Sequence, residues 1–263
     1  MILKFQPELA RAYDKKISAG KMYPLKNQDA YLGRVFERDI LGDIKFSKAR
    51  RPIFNRLENI YFCLGMPLPS VGVTNRIADF QSKLRVLFPN PIDMNLMDKA
   101  SLHVTLFDHR WQKTSPNPSR HPFMEKPEAL KEFIKSTEFM FDRFRPLTVF
   151  FRALSLFSDG AIVACGYPQD FPKGFPGMSS IDMIREGYIK HYPEAGGHPD
   201  ITHISVARLL KKPTKNEHAS TLSEIEMFNG VPLGSVTFDH VNVLYETRFL
   251  LSEIALLTKI RLG

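Results

Sequence analysis

Cysteine and tryptophan are scarce in this chain of 263 residues, with two of the former and one of the latter. Cys63 and Cys165 each lie in an apolar, strand-like run (Tyr61-Phe62-Cys63-Leu64 and Val163-Ala164-Cys165-Gly166), and there is no C-x-x-C pair. Neither a disulfide framework nor a thiolate zinc site is indicated. Long apolar runs are missing as well. Stretches such as 60–67 and 249–251 fall far short of the ~20 apolar residues that a membrane-spanning helix requires. The opening residues carry no apolar run of the length a secretory signal has, so a cytoplasmic location and no membrane association are expected. The phosphate-loop pattern G-x-x-x-x-G-K-S/T, the dinucleotide pattern G-x-G-x-x-G, the nucleophile elbow G-x-S-x-G and the zincin pattern H-E-x-x-H are all absent from the sequence. Their absence lowers the standing of the corresponding chemistries.

What is present is an ordinary globular composition: 43% hydrophobic, 11% aromatic and 24% charged residues exclude the disordered and fibrous classes. The length allows one large domain or two lobes sharing a core. Thirty-six Lys+Arg against 28 Asp+Glu leave a formal charge of +8, and the sequence pI is about 9.4. Such a surface favours anions, phosphate and nucleic acid among them, without specifying which.

Residues 1–57 read as an N-terminal extension, rich in charge, poor in period-2 alternation and containing the basic cluster Lys48 to Arg51. Residues 58–263 read as the folded domain. A strand is expected over Asn59 to Gly65, closed by Pro67 and Pro69. Thr74 is placed to cap a helix running to about Phe88, with Ile77, Phe80, Leu84 and Leu87 on one face. A strand then follows at Ser101 to Phe107 and a proline-opened helix at Pro127 to Phe144. Leu147 to Tyr167 reads as two strands turned at Ser158-Asp159-Gly160, since Asp-Gly between apolar runs signals a hairpin. The order then recurs: helix Ser180 to His191, strand Ile201 to Leu209, helix Glu217 to Phe228, and strands at Val236 to Tyr245 and Phe249 to Ile260. A unit of helix, strand, helix and hairpin thus appears twice, which argues an α+β fold with mainly antiparallel sheets.

The centre of each repeat holds a histidine: Ser101-Leu-His103-Val-Thr105-Leu-Phe107 and Ile201-Thr-His203-Ile-Ser205-Val-Ala207. Residues two apart in a strand share a face, so His103 and Thr105 point one way, as do His203 and Ser205. The tripeptide His-x-Ser/Thr is weak evidence alone, and a third instance, His218-Ala-Ser220, sits in a polar run that reads as a helix entrance. The other two occupy the same slot of the repeat, 100 positions apart. Two imidazoles facing a common cleft can divide the work of phosphodiester cleavage, one accepting a proton from the attacking hydroxyl or water and the other supplying one to the leaving oxygen. Thr105 and Ser205 would donate hydrogen bonds to the non-bridging phosphate oxygens, where charge builds in the transition state. This scheme needs neither metal nor cofactor. A metal site built on His198, Asp200 and His203 is set aside because strand geometry would put the first two on one face and the third on the other.

Two His-x-Ser/Thr strands about a hundred residues apart in a duplicated α+β chain resemble the two-histidine (2H) phosphoesterase superfamily, which includes RNA ligase/2',3'-cyclic phosphodiesterase-like proteins. The resemblance covers about residues 59–260, and the form Ser-x-His-x-Thr-x-Phe-Asp at 101–108 is similar to a poorly characterised branch. It implies a duplicated, pseudo-two-fold bilobal fold: two mainly antiparallel sheets flank a central cleft, with helices outside. It implies too that His103, Thr105, His203 and Ser205 form the site, with His103 protonating the leaving oxygen and His203 activating water. Ser205 stands where threonine is frequent, and residues 1–57 have no counterpart in the minimal fold and could cap the cleft.

His109, Arg110 and Arg208 follow the two motifs and are candidates for holding phosphate. Tyr61, Phe151 and Tyr245 are candidates for stacking on a base, with core packing the better reading for each. The expected activity is therefore metal-independent hydrolysis of a cyclic phosphate, such as a 2',3'-cyclic nucleotide or RNA end, by a monomer. The alternatives are a non-catalytic nucleotide or RNA binder using the same cleft, and RNA end joining.

Overall fold

The computed structural model describes residues 38–41, 43–45, 47, 56–69, 71–111, 127–157, 159–172, 178–193, 201–248 and 253–263, with backbone alone at 56–62, 108–111, 246–248 and 253–255. Most of the extension 1–57, with its basic cluster Lys48 to Arg51, and residues 198–200 lie outside this description. Among the described residues of the extension is one bridge, Arg38 to Ile44.

Among the described residues, nine strands form one antiparallel sheet. They are β1 (Arg56–Pro67), β2 (Met94–Leu96), β3 (His103–Trp111), β4 (Leu147–Leu156), β5 (Ala161–Pro168), β6 (Thr202–Leu209), β7 (Gly234–Phe238), β8 (His240–Arg248) and β9 (Glu253–Arg261). Their spatial order is β7-β4-β5-β6-β3-β1-β8-β9, with β2 added on β6. The order is symmetric about the β3/β6 seam: β3-β1-β8-β9 on one side mirrors β6-β5-β4-β7 on the other. The expected two sheets are thus present as two halves, joined at the seam by the single register pair Val104 and Ile204.

The hairpin between β4 and β5 turns at Asp159-Gly160, where Gly160 takes φ 82, a left-handed conformation that glycine adopts without steric cost. The strand expected over Val236 to Tyr245 is instead two. β7 ends at Phe238 and pairs with β4, while β8 begins at His240 and pairs with β1, so the chain crosses from one half of the sheet to the other at Asp239. The inward parity changes there, from Val236 and Phe238 to Val241, Val243 and Tyr245.

Helices α1 (Val73–Leu87), α2 (Pro127–Phe141), α3 (Ser180–His191) and α4 (Lys215–Phe228) cover one face of the sheet. α1 and α4 pack together over the β4/β6/β7 half, and α2 and α3 pack against β9 and β3. Capping boxes open α3, at Ser179 and Asp182, and α4, at Thr214 and Glu217, each satisfying N-terminal amides that lack helical partners. His218-Ala-Ser220 lies in the first turns of α4, as a helix entrance should. α1 starts differently from expectation: Gly72, at φ 64, turns the chain into the helix. Thr74 falls inside the first turn, buried, with its hydroxyl donating to the Pro69 carbonyl.

The core between sheet and helices includes Leu64, Met66, Val104, Leu106, Phe107, Ile162, Ala164, Ile204 and Val206 from the central strands. Phe107 stacks on Tyr188 of α3 with ring centroids 4.0 Å apart. Burying a side chain of this kind is worth about 1.5–3 kcal/mol.

Candidate active site

Because successive strand residues alternate in direction, packing Val104 and Ile204 into the helix-covered core sends His103, Thr105, His203 and Ser205 to the opposite face. The two histidine strands are immediate neighbours in the sheet, so the imidazoles lie side by side on one face of it. Antiparallel pairing at Val104 and Ile204 sets His103 toward Ser205 and Thr105 toward His203.

Both strands are bulged at the same place. Thr105 pairs with Gly65 and Phe107 with Leu64, leaving Leu106 as the extra residue. Ser205 pairs with Val163 and Ala207 with Ile162, leaving Val206 extra. The bulged residues directly follow the two hydroxyl residues, 100 positions apart, so the repeat extends to a local backbone irregularity. Bulges of this kind bend a strand and re-aim its side chains. Here they send Leu106 with Phe107, and Val206 with Ala207, into the core.

Each histidine is oriented by the backbone behind it. His103 Nδ1 lies 2.7 Å from the Ser101 carbonyl oxygen, and His203 Nδ1 lies 3.3 Å from that of Ile201. A carbonyl only accepts, so Nδ1 carries the hydrogen in both rings and Nε2 is left as the atom that can exchange a proton. His103 Nε2 is 3.0 Å from Thr105 Oγ1, so the threonine hydroxyl donates to it until a ligand offers another acceptor. Burial pushes both imidazoles below their ordinary value, with the carbonyl bonds opposing it. His203 is held at about 4: burial is the largest cause, and the Arg185 guanidinium and His103 push the same way.

The walls differ between the halves. Beside His103 lie Gly65, where a Cβ would sit 3.0 Å from the imidazole Cδ2, and Cys63, whose Sγ is 3.9 Å from Nε2. Beside His203 and Ser205 the register places Cys165 and Val163, which with Tyr167 and Ile201 form a small apolar cluster separate from the main core.

Of the other candidates, Arg208 returns to the histidine face after the bulge, but its guanidinium is committed to the hairpin turn. Nη1 donates to the Asp159 carboxylate at 2.9 Å and to the Asp159 carbonyl at 3.1 Å. Arg208 thus ties β6 to the hairpin turn through Nη1. Tyr245 is corrected more firmly. It lies in register with Phe62 and is buried in the helix-covered core with Val243, on the wrong face for stacking on a ligand at the histidines. Phe151 is likewise core. Tyr61, His109 and Arg110 occupy strand positions in β1 and β3, and their side chains lie outside the described residues.

Two buried polar residues that point into the seam escaped the sequence reading. Gln81 of α1 and Arg185 of α3 each donate to the backbone of a histidine strand. The available signal was a polar residue inside the apolar stripe of each helix. Among the described residues no cluster of His, Cys, Asp and Glu is arranged to hold a metal ion, and no helix is long and apolar enough to cross a membrane.

The fold has solved counterparts. The conserved protein of unknown function ATU0111 from Agrobacterium tumefaciens str. C58 superposes with a TM-score of 0.52 at 10% identity, over 80% of this chain and 88% of its own. The two proteins share a fold. Looser likenesses are TT0787 of Thermus thermophilus, at TM-score 0.49 and 14% identity over 78% of this chain and 97% of its own, and E. coli LigT in its apo form, at 0.46 and 13% over the same shares. No family model and no curated protein matches the sequence.

Proposed function

We propose that the histidine face of the β3/β6 seam is the active site of a phosphodiesterase that hydrolyses a cyclic phosphate without a metal, a 2',3'-cyclic nucleotide or RNA end being the substrate class. One observation carries this reading: two imidazoles stand side by side, each with Nδ1 tied to the carbonyl two residues earlier and Nε2 left for the substrate. The resemblance of the two motifs to the 2H phosphoesterases supports the same chemistry.

In this mechanism the phosphate sits over Thr105 and Ser205, whose hydroxyls donate to its non-bridging oxygens. The Thr105 hydroxyl leaves His103 Nε2 to do so, which frees that nitrogen for proton transfer. His203, neutral, accepts a proton from water as it attacks phosphorus. His103, protonated alongside the bound anion, delivers its proton to the leaving ribose oxygen, and a phosphomonoester results. An anion at the site favours the imidazolium form and so offsets the burial that depresses His103 in the free protein.

The test is a panel of 2',3'-cyclic mononucleotides and RNAs with cyclic ends, incubated with purified protein in EDTA. Turnover to a single phosphomonoester product is the expected result. Saturable binding of these compounds with no turnover would replace the enzyme reading with that of a nucleotide binder.

A further inference from the structure

The strands outside the seam extend the rows that hold the two hydroxyls. Residues in register on neighbouring antiparallel strands share a face. Thr105 on β3, Gly65 on β1 and Asn242 on β8 therefore form one row on the histidine face. Ser205 on β6, Val163 on β5 and Ser155 on β4 form its counterpart in the other half. Each row reaches a polar residue two strands from its hydroxyl. Both of these residues carry a buried oxygen, Asn242 Oδ1 and Ser155 Oγ, that has no hydrogen-bond partner among the described residues.

The rows differ in what stands between that oxygen and the site. In the β6 row Val163 belongs to the buried apolar cluster with Cys165, Tyr167 and Ile201, and Ser155 lies behind it, 2% exposed. In the β3 row the intervening residue is Gly65, which has no side chain to interpose, and Asn242 is only half-buried. Two interstrand spacings put Asn242 about 9–10 Å from Thr105 along the sheet. Lys259, next in the row on β9, is exposed and does not satisfy the Asn242 oxygen.

A buried acceptor without a partner is costly, and a ligand that supplies a donor relieves that cost. A primary amide offers a donor and an acceptor side by side and can turn about its last bond to present either. The edge of a nucleobase is complementary, with an N–H next to a carbonyl oxygen or ring nitrogen. With the phosphate over Thr105 and Ser205, the base of a nucleotide extends about as far as Asn242 stands. The filled β5/β6 side leaves the β3, β1 and β8 side as the one over which the base lies.

The geometry points to Asn242 as the residue that reads the base: its amide pairs with the base edge while the histidines act at the phosphate. This rests on the phosphate placement proposed above. Asn242 sets specificity and takes no part in proton transfer.

The experiment measures, by calorimetry on the full chain, binding of the 3'-monophosphates of adenosine, cytidine, guanosine and uridine and of the matching abasic sugar phosphate. The native protein is compared with Asn242→Ala and Ser155→Ala. The readout is affinity for each nucleotide relative to the abasic phosphate, a ratio from which any change at the phosphate itself cancels. In N242A the ratio for the preferred base should fall about tenfold, and in S155A it should stay as in the native protein. An unchanged ratio in N242A, an equal fall in S155A, or a native protein that binds the nucleotides no better than the abasic phosphate overturns the inference. Should N242A fail to fold, Asn242→Leu, of similar size with neither donor nor acceptor, decides alone: a reduced ratio supports the inference and an unchanged one sinks it. Hydrolysis of cyclic nucleotides with an unchanged ratio in N242A removes the role of Asn242 and leaves the phosphodiesterase standing. A reduced ratio with no hydrolysis does the reverse.

Discussion

Val104 on β3 lies directly opposite Ile204 on β6, and this pair places each histidine next to the other motif's hydroxyl residue. Thr105 and Ser205 therefore flank one common position above the seam. Thr105→Val and Ser205→Ala should each lower kcat on a 2',3'-cyclic nucleotide by about 10²-fold, with KM changed much less, because the hydroxyls act on charge that develops in the transition state. Steady-state kinetics on the two variants check this. An effect confined to KM would reassign the hydroxyls to ground-state binding.

Gly65 is the wall of the His103 pocket. Its Cβ-free backbone passes close enough that a methyl group would press on the imidazole at 3.0 Å. Gly65→Ala should cost about ten- to a hundredfold in turnover by displacing that ring, with little loss of thermal stability. Gly187 on α3, where a methyl group meets open space, is the control, and Gly187→Ala should leave activity unchanged.

Gly166 has the opposite character. It faces the core, and a methyl group there would lie 2.6 Å from Val149 Cγ1 and 2.8 Å from Phe151 Cε1. Gly166→Ala should destabilise the fold by about 1–3 kcal/mol through overpacking, seen in chemical denaturation, while the folded fraction keeps its specific activity.

The depressed histidines also shape stability against pH. His203 titrates near 4 when folded and near its ordinary 6.5 when unfolded. Its contribution is complete above about pH 6.5 and is lost as the pH falls toward 4, because only the unfolded state takes up the proton across that window. His103 is shifted in the same direction. Denaturation between pH 7 and 4 should therefore show a fall in stability that is shallower in His203→Gln and shallower again when His103→Gln is added. A slope identical to the native protein in both variants would contradict the buried, neutral state of the rings.

Much of the site can be read from the sequence, since the parity of a strand fixes which residues share a face. His103, Thr105, His203 and Ser205 needed only the apolar alternation around them, and the Asp159-Gly160 hairpin announced itself through turn chemistry. Less visible were the features set by long-range pairing. The bulges at Leu106 and Val206 have no residue signature, because aliphatic side chains suit either side of a bulge. The crossing at Asp239 appears as a slip in parity between Phe238 and Val241, which a continuous apolar run disguises. Arg208 and Tyr245 look alike from sequence, as polar-tipped residues on strands near the motifs. What the structure adds is a partner 49 positions away for Arg208 and a helix-covered face for Tyr245. Gln81 and Arg185 were hidden because a lone polar residue in an apolar helix stripe gains meaning only once the seam it faces is known.

The most direct test of the account is hydrolysis of 2',3'-cyclic mononucleotides in EDTA by the native chain and by His103→Ala and His203→Ala. The account predicts turnover that chelation leaves intact and that falls by a factor on the order of 10² or more in each variant. Native-like rates in both variants, or loss of native activity on chelation, would contradict it.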